Sequence, residues 1–201
     1  MATAGLRSLT SLRFPGTSHS SVSNQGPPRL IMISGAIATG KSTIAAALAD
    51  LLRNQGKSVA MTDLDTVADM SARHAWDWAH TVDGSLVAAW LNTPIDVVID
   101  EGTCNLTEVQ TVLTRVPDST IVQHVVLRAD YQASLERAQN DPTRGISRNP
   151  EFLRRDHDRF ADASKDLPRG LELHVEGRSP ADLADEIHRR SQQPGGTPEP
   201  I

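Results

Sequence analysis

Four residues in the stretch ISGAIATGKSTI, which spans residues 33–44, have types and spacing that suit phosphate chemistry. The pattern G-x-x-x-x-G-K-S is formed by Gly35, Gly40, Lys41 and Ser42. In this pattern the glycines let backbone N–H groups surround phosphates, the lysine reaches the β and γ phosphates, and the serine hydroxyl can ligate Mg²⁺. A glycine-rich turn with an incidental surface lysine is the weaker interpretation, because an apolar run precedes the motif and an amphipathic pattern follows it. The stretch therefore predicts a phosphate-binding P-loop.

Acidic residues follow the second and third apolar runs of the chain. TDLDT places Asp63 and Asp65 beyond the second run, and DEGTCN places Asp100 and Glu101 beyond the third. Ligands of parallel sheets bind beyond the carboxyl ends of the strands, so we expect these carboxylates to converge on the phosphate site. There a carboxylate either holds Mg²⁺ through water or accepts a proton from an attacking hydroxyl. The alternative for Asp63 or Asp100 alone is that it caps a helix.

A turn-rich segment further along, DPTRGISRNPEFLRRDHDRF, carries five arginines. Arg144 and Arg148 lie among Pro and Gly, where a segment that closes over a phosphoryl group could neutralise its charge. Arg155 and Arg159 fall in a helical pattern, and we expect them on a solvated helix surface.

Five short runs of aliphatic and β-branched residues alternate with helical patterns, which predicts a parallel sheet covered by helices on both faces. The predicted strands are residues 29–34, 58–62, 96–100, 121–127 and 171–175. An α/β fold follows, in a chain of 201 residues that is long enough for one domain of ordinary size.

Net charge and cysteine content exclude several classes of protein. The formal net charge of −5 provides no basic field for a DNA duplex. No apolar segment reaches the eighteen or so residues of a membrane helix, so no membrane partner is expected. The single cysteine, Cys104, suits a reducing compartment, and we expect a cytoplasmic protein.

The two ends of the chain have the composition of tails. Residues 1–28 are rich in Ser and Thr, contain Arg7 and Arg13, and include no acidic residue. We expect a disordered extension there; a transit peptide and a start codon assigned too far upstream are the alternatives. Residues 191–201 are a second disordered tail, which leaves 29–190 as the predicted folded domain.

The order of P-loop, D-x-D after the second strand, acid after the third strand and arginine-bearing segment resembles the P-loop kinases of the nucleotide-kinase-like group. That group includes chloramphenicol phosphotransferase, shikimate kinase, gluconate kinase, adenylylsulfate kinase and the kinase domains of polynucleotide kinases. The resemblance covers about residues 29–190. It implies a P-loop NTPase three-layer sandwich, a five-stranded parallel sheet of order 2-3-1-4-5, a helical lid, and ATP with Mg²⁺ as the donor.

Matching motifs carry implied roles. Lys41, Arg144 and Arg148 would act on the phosphates, and the GRSPADL turn at 177–183 would lie beside adenine. The residues implied to contact ATP are Gly35, Ala36, Ile37, Ala38, Thr39, Gly40, Lys41, Ser42 and Thr43.

The resemblance also implies where the acids act. Ser42 and Asp100 would lie near Mg²⁺. Side chains alternate along an extended segment, so Asp63 and Asp65 cannot both face the same way. We assign Asp65 as the base or acceptor anchor and Asp63 as the partner on the Mg²⁺ side.

The acceptor pocket would come from residues 66–92. Trp76 and His80 are one helical turn apart and could face the acceptor together, whereas Trp78 points elsewhere. An equally strong interpretation makes these aromatic residues the core of a small helical subdomain.

The leading hypothesis is an ATP-dependent phosphotransferase that moves the γ-phosphoryl group to a hydroxyl of a small molecule, either a metabolite or an antibiotic. A polynucleotide or RNA end kinase and a catalytically inactive nucleotide-binding regulator are the alternatives. A switch GTPase is disfavoured because N-K-x-D and the D-x-x-G after the third strand are both absent. We expect a monomer or a homodimer.

Overall fold

The fold is built around a five-stranded parallel sheet with strand order β2-β3-β1-β4-β5. The structure, a computed structural model, describes residues 26–71, 76–168 and 170–192, except for the side chains at positions 76 and 77. The strands are β1 (Arg29–Gly35), β2 (Val59–Asp63), β3 (Val97–Glu101), β4 (Ile121–Arg128) and β5 (Leu171–His174). Both the parallel sheet and its predicted order are confirmed.

Helices connect consecutive strands and cover both faces of the sheet. They are α1 (Lys41–Asn54), α2 (Leu64–Asp69), α3 (Trp76–Leu91), α4 (Leu106–Leu113), α5 (Tyr131–Asn140), α6 (Pro150–Ala163) and α7 (Pro180–Ser191). Short 3₁₀ helices cover Ile146–Arg148 and Ser164–Asp166. This is the three-layer arrangement expected of strands that alternate with helices.

Alternate side chains of the strands enter two hydrophobic clusters. Ile31, Ile33 and Ile99 pack with α1 and α7 on one face of the sheet. Leu30 and Val98 pack on the other face, with residues of α3, α4 and α6. Because both odd-numbered and even-numbered strand residues are buried, the strands appear in the sequence as continuous apolar runs.

The second and third strands end one residue later than their sequence patterns predict. Asp63 and Glu101 are therefore the last residues of β2 and β3, and they are register partners across the pair. Successive side chains of a strand point to opposite faces, so Asp100 and Glu101 of β3 lie on opposite faces of the sheet.

Some predictions concern parts of the chain outside this description. Residues 1–25 of the proposed extension (1–28), residues 193–201 of the proposed tail (191–201) and the side chain of Trp76 lie outside the described residues. Within the described ranges, no helix has the length and apolar character needed to cross a membrane.

Candidate active site

The loop between β1 and α1 has the compact geometry of a P-loop. Ala38 has φ 62° and Gly40 has φ 98°, so both adopt the left-handed region in which glycine is favoured. A Cβ atom on Gly35 would lie 2.7 Å from the Thr39 Oγ1 atom, so only glycine fits the start of the loop. The Thr39 hydroxyl closes the turn by donating to the Ala36 carbonyl at 2.9 Å.

Lys41, the first residue of α1, places its ammonium group against this loop. Its Nζ atom donates to the carbonyl oxygens of Gly35 at 3.0 Å and Ala36 at 3.2 Å. The charge is thus held over the loop, beside the N-terminus of a fourteen-residue helix. A helix N-terminus and a lysine together favour an anionic ligand, and phosphate fits both.

Glu101 lies beside Ser42 at the edge of the site. The Ser42 hydroxyl is close enough to the Glu101 carboxylate to favour its ionised form. Burial raises the pKa of Glu101 to about 6, the Ser42 hydroxyl opposes that shift, and the neighbouring Asp63 adds to it. A hydroxyl and a carboxylate are hard oxygen ligands, so this pair fits a magnesium ion.

The structure corrects the assignment of Asp100 to the metal. Asp100 is fully buried, and its Oδ1 atom accepts a hydrogen bond from the Thr62 hydroxyl at 2.9 Å. Because side chains alternate along β3, Glu101 shares the α1 face with Ile99 whereas Asp100 points to the opposite face. Glu101 therefore replaces Asp100 as the acid beside Ser42.

Asp100 instead forms a buried carboxyl pair with Asp83 of α3. Both residues are 0 % exposed, and each carboxyl group shifts the pKa of the other. Burial raises the pKa of Asp83 to about 6 and raises that of Asp100 well above its usual range. The pair links α3 to the sheet at the strand that carries Glu101. Sequence reasoning missed it, because an acid in a helical pattern normally faces solvent.

Asp63 and Asp65 have different local environments. The Asp63 carboxylate accepts from the Asp65 backbone N–H and the Thr66 hydroxyl, both at 2.9 Å. Asp63 therefore caps α2, as one interpretation of the sequence anticipated. For Asp65, burial raises the pKa, while Lys41 lowers it and Asp63 adds to the increase. The carboxyl group of Asp65 is thus within electrostatic range of the P-loop lysine.

The two predicted lid arginines bind within their own segment. Arg144 Nε donates to Asp141 Oδ2 at 3.2 Å, and Arg148 Nη2 donates to the Gln139 carbonyl at 3.3 Å. The structure does not bring either side chain to the P-loop in these contacts. A role over the phosphates would require the segment to close, and this remains a prediction.

Helix α6, on which Arg155 and Arg159 are expected at a solvated surface, contacts the P-loop directly through other residues. Asp156 accepts a hydrogen bond from the Ile37 backbone N–H, and His157 bonds the Ile37 carbonyl. Arg159 is mostly exposed, as predicted, but it also donates to Asp156 at 2.6 Å. The contacts of Asp156 and His157 with Ile37 could not be predicted from a local sequence pattern, because the residues are 119 and 120 positions apart.

The aromatic segment supports a packing role for part of its residues. Trp78 packs against the buried cluster of Leu64, Ala68 and Ala79. His80 Nε2 lies 3.5 Å from Glu108 Oε1. The core interpretation therefore holds for Trp78. The pocket interpretation for Trp76 and His80 stays a prediction.

The turn at 177–183 follows the last strand. Gly177 has φ 70°, and Ser179 begins α7 with a capping box to Asp182. The turn is therefore a structured helix entry, and a contact with adenine there remains a prediction.

Comparison with known proteins gives one family and a large set of structures. The model of the CobQ/CobB/MinD/ParA nucleotide binding domain matches residues 30–173. The search of curated proteins finds no match.

Solved structures of the same fold include three kinds of protein. Shikimate kinase from Bacteroides thetaiotaomicron has a TM-score of 0.60 at 14% identity, over 82% of this chain and 98% of that one. Mycobacterium tuberculosis APS kinase, in complex with AMPPNP and APS, has a TM-score of 0.60 at 13% identity, over 84% and 99%. The tunicamycin resistance protein of Deinococcus radiodurans has a TM-score of 0.57 at 12% identity, over 87% and 99%. At such identities the similarity shows the fold, and it confirms the resemblance to P-loop kinases at that level.

Proposed function

The chain belongs to the family of CobQ/CobB/MinD/ParA nucleotide-binding domains, and from this premise we propose that it is an ATP-dependent phosphotransferase with a small-molecule hydroxyl acceptor. The observation that carries the proposal is the position of Lys41, whose ammonium lies over the P-loop carbonyls at 3.0 and 3.2 Å. A lysine in this position can follow the γ-phosphoryl group and neutralise charge as it transfers.

Ser42 and Glu101 are the residues proposed to hold Mg²⁺. The Ser42 hydroxyl and the Glu101 carboxylate are close to each other and within electrostatic range of Lys41. When bound, the ion neutralises phosphate charge and orients the phosphoryl group for transfer. Asp63 contributes further negative charge here while it caps α2.

Asp65 is the residue proposed to accept the proton of the acceptor hydroxyl. Asp65 is an exposed residue, but partial desolvation raises the pKa of its carboxyl group, and a raised pKa makes the ionised form a stronger base. The electrostatic interaction of Asp65 with Lys41 supports a position of this base near the proposed phosphate site. An acceptor that reaches Asp65 would therefore meet the transferring group as well.

The charges around Asp65 favour a neutral or cationic acceptor. Asp63, Asp69 and Asp156 all raise the pKa of Asp65, and Lys41 is the cation that lowers it. An anionic acceptor, including the end of a polynucleotide, would meet these carboxylates in addition to the nucleotide phosphates. This favours a small neutral or amino-bearing hydroxyl compound over the RNA end kinase alternative.

The inactive-regulator alternative is disfavoured by the retained set of reactive groups. The Glu101 carboxyl group interacts with Ser42, Lys41 and Asp65, and the Asp65 carboxyl group also interacts with Lys41. A protein that only binds nucleotide needs a carboxylate for Mg²⁺, but it does not need a second one, such as Asp65, within electrostatic range of the P-loop lysine.

The experiment is transfer of label from [γ-³²P]ATP to matched hydroxyl compounds that are neutral, amino-bearing or carboxylate-bearing, and to oligonucleotides that carry a free terminal hydroxyl. We expect labelled product from the neutral or amino-bearing set, and Lys41→Ala to reduce its formation by ~10²–10³-fold. Transfer that persists in Lys41→Ala contradicts the phosphotransferase assignment. Preferential labelling of oligonucleotides favours the end kinase.

A further inference from the structure

Two neighbouring side chains of α6 bind both backbone polar atoms of one P-loop residue. The Ile37 N–H donates to Asp156 Oδ2 at 2.8 Å, and the Ile37 carbonyl accepts from His157 Nε2 at 3.1 Å. The partners are 119 and 120 positions apart in the chain. Ile37 is the third residue of the motif and precedes Ala38, whose φ of 62° is unfavourable for a residue with a side chain.

Further contacts fix both side chains of α6. Asp156 is 8 % exposed, and its Oδ1 atom accepts from Arg159 at 2.6 Å. The His157 ring lies edge-on to Tyr131, with centroids 5.7 Å apart. Arg154 in turn lies 3.3 Å over the Tyr131 ring. The two groups that bind Ile37 are therefore positioned by packing and by charge, as residues that orient a site must be.

The bond to the Ile37 carbonyl determines the direction of the next N–H group. The peptide bond between Ile37 and Ala38 is trans, so its C=O and N–H point in opposite directions. Because His157 holds the oxygen toward α6, the Ala38 N–H points away from α6. Rotation of this peptide would turn the oxygen, which repels phosphate, in the direction now taken by the N–H.

We propose that Asp156 and His157 are positioning residues that hold the Ile37–Ala38 peptide in the orientation that binds nucleotide phosphates. The inference rests on the proposed nucleotide binding by the P-loop and adds α6 to that site. It also connects the P-loop to the arginine-bearing segment, because residues 141–149 lead directly into α6. Binding of phosphates and the position of α6 are then reciprocally coupled.

The test measures the affinity of the full chain for ADP that carries a fluorescent N-methylanthraniloyl group. Asp156→Ala and His157→Phe should each weaken binding about five- to tenfold, the effect of losing one orienting hydrogen bond. Asp156→Asn keeps an acceptor oxygen for the Ile37 N–H and should remain within about twofold of the wild type. Asp158→Ala changes an exposed acid of the same helix and should have no effect.

Two comparisons separate positioning from folding and from failure of the proposed function. The analogous fluorescent adenosine, which has no phosphate, should bind His157→Phe and wild type equally, whereas a general folding defect would weaken both ligands. Wild-type ADP affinity in His157→Phe and Asp156→Ala, with weaker binding in Lys41→Ala, overturns the proposal for α6. Wild-type affinity in Lys41→Ala overturns nucleotide binding by the P-loop itself.

Discussion

At the scale of single residues, the acids at the strand ends are distinguished by which face of the sheet they occupy. Glu101 and Asp100 are adjacent in sequence, yet one lies beside Ser42 and the other is buried against Thr62 and Asp83. The composition of the strand end was predictable from the sequence, but the face was not. A slip of one residue in the register of β3 would exchange the positions of the two carboxylates.

Substitution of Glu101 should therefore alter the response to magnesium. In Glu101→Gln the Ser42 hydroxyl keeps a neighbour, but the charge that would attract the ion is lost. We expect the Mg²⁺ concentration for half-maximal transfer to rise about tenfold, equivalent to loss of one charged contact. A Mg²⁺ series on Glu101→Gln and Asp100→Asn measures this, and the contradictory result is a larger rise in Asp100→Asn.

Asp65 and Asp63 should differ in their effect on turnover. Asp65→Asn removes the proposed base and should lower kcat by ~10²–10⁴ while nucleotide affinity is retained. Asp63→Asn can still cap α2, because asparagine is as good a cap as aspartate, so its effect should be smaller. The measurement is kcat for transfer together with the Kd for ATP. A fully active Asp65→Asn would show that the base lies elsewhere.

At the scale of elements, α2 is positioned by its contact with the loop that follows β3. Gly102 has φ 116°, and a Cβ atom added there would lie 2.7 Å from the Leu64 Cβ atom at the start of α2. Leu64 directly precedes Asp65, so the distance between the two loops determines where the proposed base lies. The close approach explains why glycine follows Glu101.

Gly102→Ala should consequently affect both stability and transfer. We expect a loss of ~1–3 kcal/mol from the strained φ, together with a lower kcat as α2 moves away from the loop. Gly56→Ala is the matched control, because Gly56 also has a positive φ of 81° but no atom within 4 Å of an added Cβ. Thermal denaturation and kcat are measured for both variants. Equal effects of the two substitutions on kcat would refute the role of the Leu64 contact.

The elements themselves were the most predictable part of the protein. All five strands and the P-loop were found from the sequence, because runs of aliphatic residues and the spacing of glycines and lysine are local signals. The contacts of Asp156 and His157 with Ile37 were not found, since they depend on tertiary packing across more than a hundred residues. Asp83 was missed because an acid in a helical pattern is normally expected to face solvent.

At the scale of the whole molecule, the buried carboxyl pair makes folding depend on pH. Burial raises the pKa of Asp83 to about 6 from 3.8, so the folded protein binds a proton more strongly than the unfolded chain. The stabilisation is complete below pH 3.8 and is lost as the pH rises through about 6. Near neutral pH the pair therefore weakens the attachment of α3 to the sheet.

Asp83→Asn should remove the loss of stability that ionisation of Asp83 causes. The asparagine amide can donate to Asp100 without ionising, so we expect the variant to be more stable than the wild type at pH 7.5 by ~1–3 kcal/mol. The difference in stability should disappear as the pH falls toward 4, where Asp83 of the wild type is protonated. Chemical denaturation at a series of pH values measures the difference, and a difference that is constant with pH contradicts the account.

The central claim is that the loop around Lys41 binds the phosphates of ATP. The most direct measurement is a calorimetric titration of ATP with Mg²⁺ into the full chain and into Lys41→Ala, which needs no knowledge of the acceptor. We expect saturable binding at one site, weakened by ~10–100-fold in Lys41→Ala because a charged hydrogen bond to phosphate is lost. Equal affinity in the two proteins, or no binding by the wild type, would contradict the claim.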